Sequence, residues 1–300
     1  MPEISKKWRD ANAPAGRIAN VNGRYLPHGA AAVHIEDRGL QLGDAIYEVT
    51  NVLDGVPIDE AAHLDRMERS LREIGMAMPM SRAALKLVMR EMIARNKIRN
   101  GLLYMQVTRG AARRDHVPPK DGPRPTLILT MRVQDMAALK ARMEKGVGVA
   151  SEPDQRWGRC DIKTVQLLPN LLAKQSAKAK GAFEAWLVDA EGFVTEGSST
   201  NAWIVDAKGD VVTRDLSQAI LPGVTRRIIL EAAREAGMNV VERKFTLKEA
   251  QAAQEAFLSS ATGAAVPVVT LDGVRIGDGK PGALTRRIHG LYARKAGIQA

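Results

Sequence analysis

Arg159-Cys160-Asp161-Ile162-Lys163-Thr164-Val165-Gln166-Leu167-Leu168-Pro169-Asn170 begins polar, turns apolar after Lys163 and runs into a strongly helical segment. A lysine at such a junction can keep its stem packed while its amine faces a cavity. There a dry surrounding or a neighbouring cation makes the amine a usable nucleophile or base. On its own spacing it reads more readily as a surface lysine whose stem lies along apolar neighbours. The rest of the chain has to decide.

Composition narrows the choices. Three hundred residues suffice for two modest domains with real cores. The 45% hydrophobic and 26% charged content is that of an ordinary globular protein. With Cys160 alone no internal disulfide can form, and a reducing compartment fits best. Residues 1–10 are polar with no apolar stretch behind them, and no run approaches the ~20 apolar residues a membrane span needs. The expectation is a soluble cytoplasmic protein with no membrane partner. The net charge of +10 is spread along the chain and aromatics are only 4%, so the stacking platforms of a nucleic-acid binder are missing. A basic surface of this kind attracts acidic metabolites instead.

Taken in order, residues 1–15 read as a loose arm. Residues 18–26 read as a hairpin turning at Asn22-Gly23. A strand over 45–53 places Ile46, Glu48, Thr50 and Val52 on one face and Tyr47, Val49 and Asn51 on the other. Asp59 is expected to cap a helix to about residue 74, and Ser81 a second to about residue 97. Strands at 102–108 and 126–133 flank a loop rich in Arg, Gly and Pro. The chain then divides into a small N-terminal domain (1–134), a linker with a short helix (135–146) and a larger C-terminal domain (147–300). In the second half a helix runs to about residue 180, and another starts after Pro222-Gly223. Strands and helices mix in both halves, so the class is α+β (α/β mixed) with two domains.

Several constellations could carry chemistry. Gly223-Val224-Thr225 puts a glycine and a hydroxyl at a helix start, where free N–H groups and the dipole favour an anion. Ser259-Ser260-Ala261-Thr262-Gly263 ends a strand in hydroxyls, and Arg66 could add positive charge. Each is also ordinary capping or turn chemistry. Thr195-Glu196-Gly197-Ser198-Ser199-Thr200-Asn201 sets one acid among hydroxyls, and taken alone it reads as a polar turn between strands. Arg114 and His116 could take a carboxylate from two sides, although arginine-rich loops are usually just solvated. The five histidines show no ligand spacing for a metal. Cys160 reads as a small buried residue rather than a nucleophile. A lysine for a Schiff base, a phosphate cup, an acid for a ring nitrogen and a carboxylate trap together make a site for pyridoxal 5'-phosphate.

The order of these parts resembles the class IV aminotransferases of fold type IV, and among them the bacterial D-amino acid aminotransferases. The resemblance rests on seven runs in order. They are Asp37-Arg38-Gly39 with Gly43-Asp44 and Tyr47-Glu48-Val49; His63-Leu64-Asp65-Arg66; Gln106-Val107-Thr108-Arg109-Gly110; Arg114-Asp115-His116; Arg159 to Lys163; Thr195 to Ser199; and Gly223-Val224-Thr225-Arg226. The resemblance implies that Lys163 carries the Schiff base and then shuttles a proton, and that Glu196 pairs with the pyridine nitrogen. Arg66, Val224, Thr225 and Thr262 fall where the family holds the phosphate, and Ser198 and Ser199 behind the ring. Tyr47, Arg114 and His116 match its trap for the substrate α-carboxylate. The cofactor would lie between the two domains of a homodimer, with Arg114 and His116 donated across the interface.

The Arg-x-His pair favours D-amino acids such as D-alanine and D-glutamate, with 2-oxoglutarate or pyruvate as oxo partner. Branched-chain L-amino acid transamination is the chief alternative, followed by R-amine transamination and aminodeoxychorismate lyase chemistry. Asn51, where close relatives often have lysine, and Ala261, in place of a hydroxyl residue, depart from the pattern.

Overall fold

The computed structural model describes residues 16–298, so the arm expected over residues 1–15 lies outside the described residues. The chain forms two compact units: Met1–Gln134 with Lys163–Gln166, and Asp135–Ile162 with Leu167–Ala300.

The first unit is built on an antiparallel sheet. Strands β1 (Ile18–Val21) and β2 (Arg24–Pro27) form a hairpin whose Asn22 and Gly23 sit at φ 53° and 83°, the left-handed pair a tight turn requires. Short helix α1 (Arg38–Leu42) follows, capped by Asp37, which accepts from the Gly39 amide at 2.9 Å. Strand β3 (Ala45–Leu53) turns at Asp54-Gly55 into the two-residue β4 (Val56–Pro57). Helices α2 (Glu60–Glu73) and α3 (Arg82–Asn96) precede β5 (Gly101–Thr108) and β6 (Thr126–Val133). The strand order is β2-β1-β6-β5-β3-β4.

Alternation along these strands explains the packing. Ile46, Val52, Leu103, Met105, Val107, Leu127, Leu129 and Met131 are all buried. They lie on the same side of the sheet as Glu48 and Thr50, against Leu64, Met67 and Leu71 of α2 and Leu85, Met89 and Met92 of α3. Each such side chain contributes roughly 1.5–3 kcal/mol of burial. Ser81 caps α3 as the sequence suggests, accepting from the Ala84 amide at 3.3 Å. Asp59 does not cap α2. Its backbone is left-handed (φ 55°) where capping residues are normally extended, and its side chain accepts no cap hydrogen bond.

The second unit starts with α4 (Met136–Lys145), capped by Asp135 and packed on the sheet of that unit. Strand β7 (Val147–Pro153), α5 (Leu168–Ala179), β8 (Glu184–Val188), β9 (Val194–Gly197), β10 (Asn201–Val205) and β11 (Val211–Thr213) follow. Then come α6 (Val224–Glu235), β12 (Val240–Glu242), α7 (Leu247–Gln251), β13 (Glu255–Ser260), β14 (Ala264–Leu271), β15 (Val274–Arg275) and α8 (Ala283–Lys295). The mixed sheet has the order β12-β11-β10-β13-β14-β7-β8-β9, with β15 beside β14. Trp186, Phe245, Val194, Ile204 and Leu258 fill its core. Ala173 and Ala177 of α5 meet Ala150 and Ala185, small side chains that let helix and sheet approach closely.

Thr195 to Gly197 is not a turn but part of the buried strand β9, and only residues 198–200 turn. The polar side chains are tolerated because they are satisfied: Thr195 Oγ1 donates to Asp154 Oδ2 at 2.7 Å. Among the described residues no helix is long and apolar enough to cross a membrane.

Candidate active site

Lys163 is placed by the shortness of β4. Since β4 pairs only with Val52 and Leu53, the other end of β3 keeps an open edge, and residues 163–165 fill it. The Tyr47 amide donates to the Lys163 carbonyl at 2.9 Å, and the Val165 amide to the Ala45 carbonyl at 3.2 Å. The Lys163 amide reaches Ser70 Oγ on α2 at 3.5 Å. Gly43 helps the segment fit: it is left-handed (φ 68°), and a Cβ there would lie 2.8 Å from Gln166 Cγ. The Lys163 amine is 4.1 Å from the centre of the Tyr47 ring, close enough for a cation–π contact. Tyr47 stacks on Tyr104 at 5.6 Å. The Tyr104 hydroxyl donates to Gln106 Oε1, and burial together with Tyr47 pushes it up to about 12.

Arg66, on α2, is fixed by a carboxylate from the core face of β3. Its Nε and Nη2 donate to the two oxygens of Glu48 at 2.7 and 2.9 Å, and His63 Nδ1 lies 2.8 Å from the second. Glu48 is fully buried, which alone would raise its pKa. Arg66 and then His63 outweigh that and hold it near 2. His63 and Arg66 stand three residues apart on one helical face, a spacing visible in the sequence once Glu48 is known to point at it.

Arg114 and His116 are exposed on the loop between β5 and β6.

In the second unit Glu196 is 5% exposed at the end of β9. Its Oε2 accepts from Asn201 Nδ2 at 3.0 Å and from the Leu221 amide at 3.1 Å, and its Oε1 forms an ion pair with Arg156. The same guanidinium chelates Asp154 through Nε at 2.9 Å and Nη2 at 2.7 Å and donates to the Ala219 carbonyl. Burial raises Glu196 to about 6 while Arg156 pulls the other way, so the group is a carboxylate at neutral pH. Neither Arg156 nor Asp154 stood out in the sequence, because a buried arginine looks there like any other.

Asn201 also shapes the start of α6. Its Nδ2 donates to the Leu221 carbonyl, and a Cβ on Gly223 would lie 2.2 Å from its Oδ1, so only glycine fits there. Gly223 precedes α6 without any side-chain cap, leaving the first-turn amides of Val224 and Thr225 for another acceptor. Thr225 Oγ1 is buried and, among the described residues, has no hydrogen-bond partner. An uncapped helix start with an orphan hydroxyl suits a phosphate. With the buried Glu196 carboxylate tied to this turn through Asn201 and the Leu221 amide, these residues fit pyridoxal phosphate. Thr262 lies in the turn between β13 and β14, its Oγ1 3.1 Å from Ser260 Oγ.

Ser198 and Ser199 turn away from β9 toward Glu184, which is fully buried on β8. Ser198 Oγ donates to it, Ser199 Oγ does so at 2.8 Å, and Lys174 Nζ lies 3.0 Å away. Cys160 is half-buried, with Sγ donating to the Trp157 carbonyl. Burial raises its thiol to about 11, so the thiol form predominates at neutral pH. No group of three or more candidate metal ligands exists among the described residues.

Comparison with known proteins adds a family. The profile described as Amino-transferase class IV matches residues 45–271. A D-alanine aminotransferase of Bacillus licheniformis is 39% identical over 267 residues, covering 89% of this chain and 93% of its own. One of Listeria innocua serovar 6a is 37% identical, covering 92% and 94%. Among solved structures, a branched-chain amino acid aminotransferase from Escherichia coli superposes with a TM-score of 0.83 at 22% identity, covering 95% of this chain and 96% of that one. That of Thermoproteus uzoniensis, solved with norvaline, gives 0.81 at 24%, covering 94% and 96%. At such identities the structures speak to fold alone.

Proposed function

We propose the following role for this chain, which belongs to the class IV aminotransferases. It is a pyridoxal 5'-phosphate-dependent transaminase that moves an amino group between a D-amino acid of the D-alanine or D-glutamate type and 2-oxoglutarate or pyruvate. The observation that carries the cofactor is Asn201. One amide ties the buried carboxylate of Glu196 to the uncapped helix start at Gly223 to Thr225. The similarity to D-alanine aminotransferases, together with Arg114 and His116, supports the substrate class.

When bound, pyridoxal phosphate supplies a ring that withdraws the electrons left on Cα as its proton departs. The chain's own residues do the rest. Lys163 Nζ, which lies over the Tyr47 ring, would anchor the cofactor and, once its amine is freed by the substrate, take the proton from Cα and deliver it to the cofactor's C4′. Glu196, ionised at neutral pH, holds a proton on the ring nitrogen across a hydrogen bond. The amides of Val224 and Thr225, the hydroxyls of Thr225 and Thr262, and Arg66 hold the phosphate. Ser198 and Ser199 support the ring from behind, and Tyr47, Arg114 and His116 take the substrate α-carboxylate.

The reading includes a small N-terminal domain (1–134), a linker (135–146) and a larger domain (147–300) whose residues serve one cofactor. It also includes a cytoplasmic homodimer in which Arg114 and His116 are donated to the neighbouring subunit. Borohydride reduction of the yellow protein followed by peptide mapping tests it. The expected label is at Lys163, and a protein with Lys163 intact that takes up no pyridoxal phosphate would sink the reading.

A further inference from the structure

The loop over residues 109–125 has no regular structure to hold it, yet its first half is pinned from one direction. Asp37 accepts from Thr108 Oγ1 at 2.9 Å and bridges to Ala111, the Arg38 amide donates to the Gly110 carbonyl at 2.9 Å, and the Ala112 amide to the Glu36 carbonyl at 3.2 Å. The last hold is the side chain of Arg38, only 3% exposed. Its Nη1 donates to the Asp115 carbonyl at 2.7 Å and its Nη2 to the His116 carbonyl at 3.1 Å. Its Nε donates to Asp44 Oδ2 at 2.9 Å. Asp44 also accepts from Arg109 Nε at 2.7 Å, and Arg109 reaches on to the Ile74 carbonyl. Burial would raise the Asp44 carboxyl, but Arg109 and Arg38 hold it below the ordinary carboxylate range.

This arrangement is more than a surface ion pair. Successive carbonyls of an extended chain point to opposite sides, so two that meet one guanidinium require a bend, and the chain bends at His116 and Val117. A planar fork with five donors can satisfy both carbonyls and a carboxylate at once, which a lysine ammonium cannot do in the same geometry. The donors reach the backbone of residues 115 and 116, within the segment that carries the Arg114 and His116 side chains.

We propose that Arg38 is a positioning residue for substrate selection, its buried guanidinium fixing the backbone that aims Arg114 and His116 at the α-carboxylate of the amino acid. Arg38 itself touches no substrate. The inference rests on the carboxylate-binding reading of Arg114 and His116.

Arg38→Gln and Arg38→Lys holoenzymes, assayed with D-alanine and 2-oxoglutarate, test it. Arg38→Gln should raise the D-alanine KM by about tenfold or more while kcat at saturation stays within about twofold, because binding geometry is lost and proton transfer is not. Arg38→Lys, which keeps the charge beside Asp44, should fall between wild type and Arg38→Gln. In an Arg114→Ala background Arg38→Gln should add little to KM, since both changes disable one device. Trypsin should cut after Arg113 or Arg114 faster in Arg38→Gln, a readout independent of substrate. Unchanged KM overturns the proposal, whether or not cleavage quickens. Arg114→Ala beside it locates the fault: an unchanged KM there overturns the carboxylate reading itself. Should Arg38→Gln not fold, Arg38→Lys carries the same KM criterion.

Discussion

Asn201 shows how much one side chain can organise. Its Nδ2 is shared between Glu196 and the Leu221 carbonyl, and its Oδ1 occupies the space that a side chain at Gly223 would need. Asn201→Asp keeps the shape but removes the donor and sets a second carboxylate beside Glu196. That should push Glu196 above 6, toward its neutral form. The expected result is a rise in the pyridoxal phosphate dissociation constant on the order of 10- to 100-fold, read by titrating the apo protein and following fluorescence. An unchanged constant would show that Asn201 does not couple the acid to the phosphate turn. At this scale the sequence singled out Lys163 and Glu196 as ionisable residues in unusual settings, while allowing each an ordinary reading as well. It assigned no role to Glu184, Arg156 or Arg38. These are ordinary charged residues whose importance comes from burial and from partners up to 78 positions away.

Elements were legible wherever periodicity and capping agreed. The span of β3, the Asn22-Gly23 hairpin and the Ser81 cap of α3 all follow from local rules. Strand β9 was not, since its polar residues find partners that only the fold supplies, and Asp59 was misread because its backbone is left-handed rather than in the extended form typical of a cap. Helix α2 and β3 are joined by Glu48, Arg66 and His63, which yields a prediction about acid. The folded pKa of Glu48 is about 2 and its ordinary value 4.5. The carboxylate's contribution is therefore complete above about pH 4.5 and is lost as pH falls toward 2. A difference of that size corresponds to about 3 kcal/mol. Glu48→Gln leaves Arg66 without its carboxylate and should destabilise the protein by about 3–5 kcal/mol at pH 7. Urea midpoints of the two proteins should converge as pH drops from 4.5 to 2.5. A gap that stays constant over that interval would show that the ion pair is not what the substitution removes.

For the whole molecule, the order of motifs along the chain was what made the family legible. No single run would have sufficed, since each is also ordinary turn or capping chemistry. The allocation of pieces was less visible. Lys163–Gln166 groups with the first unit although it lies in the second half of the sequence, because β4 is too short to cover β3. Fold does not choose the substrate: branched-chain enzymes share this architecture, so D-amino acid use rests on the similarity to D-alanine aminotransferases and not on the fold. The most direct measurement is product formation by the purified holoenzyme with 2-oxoglutarate and either D-alanine or L-leucine. The account predicts pyruvate from D-alanine and no turnover of L-leucine. Turnover of L-leucine with none of D-alanine would contradict it.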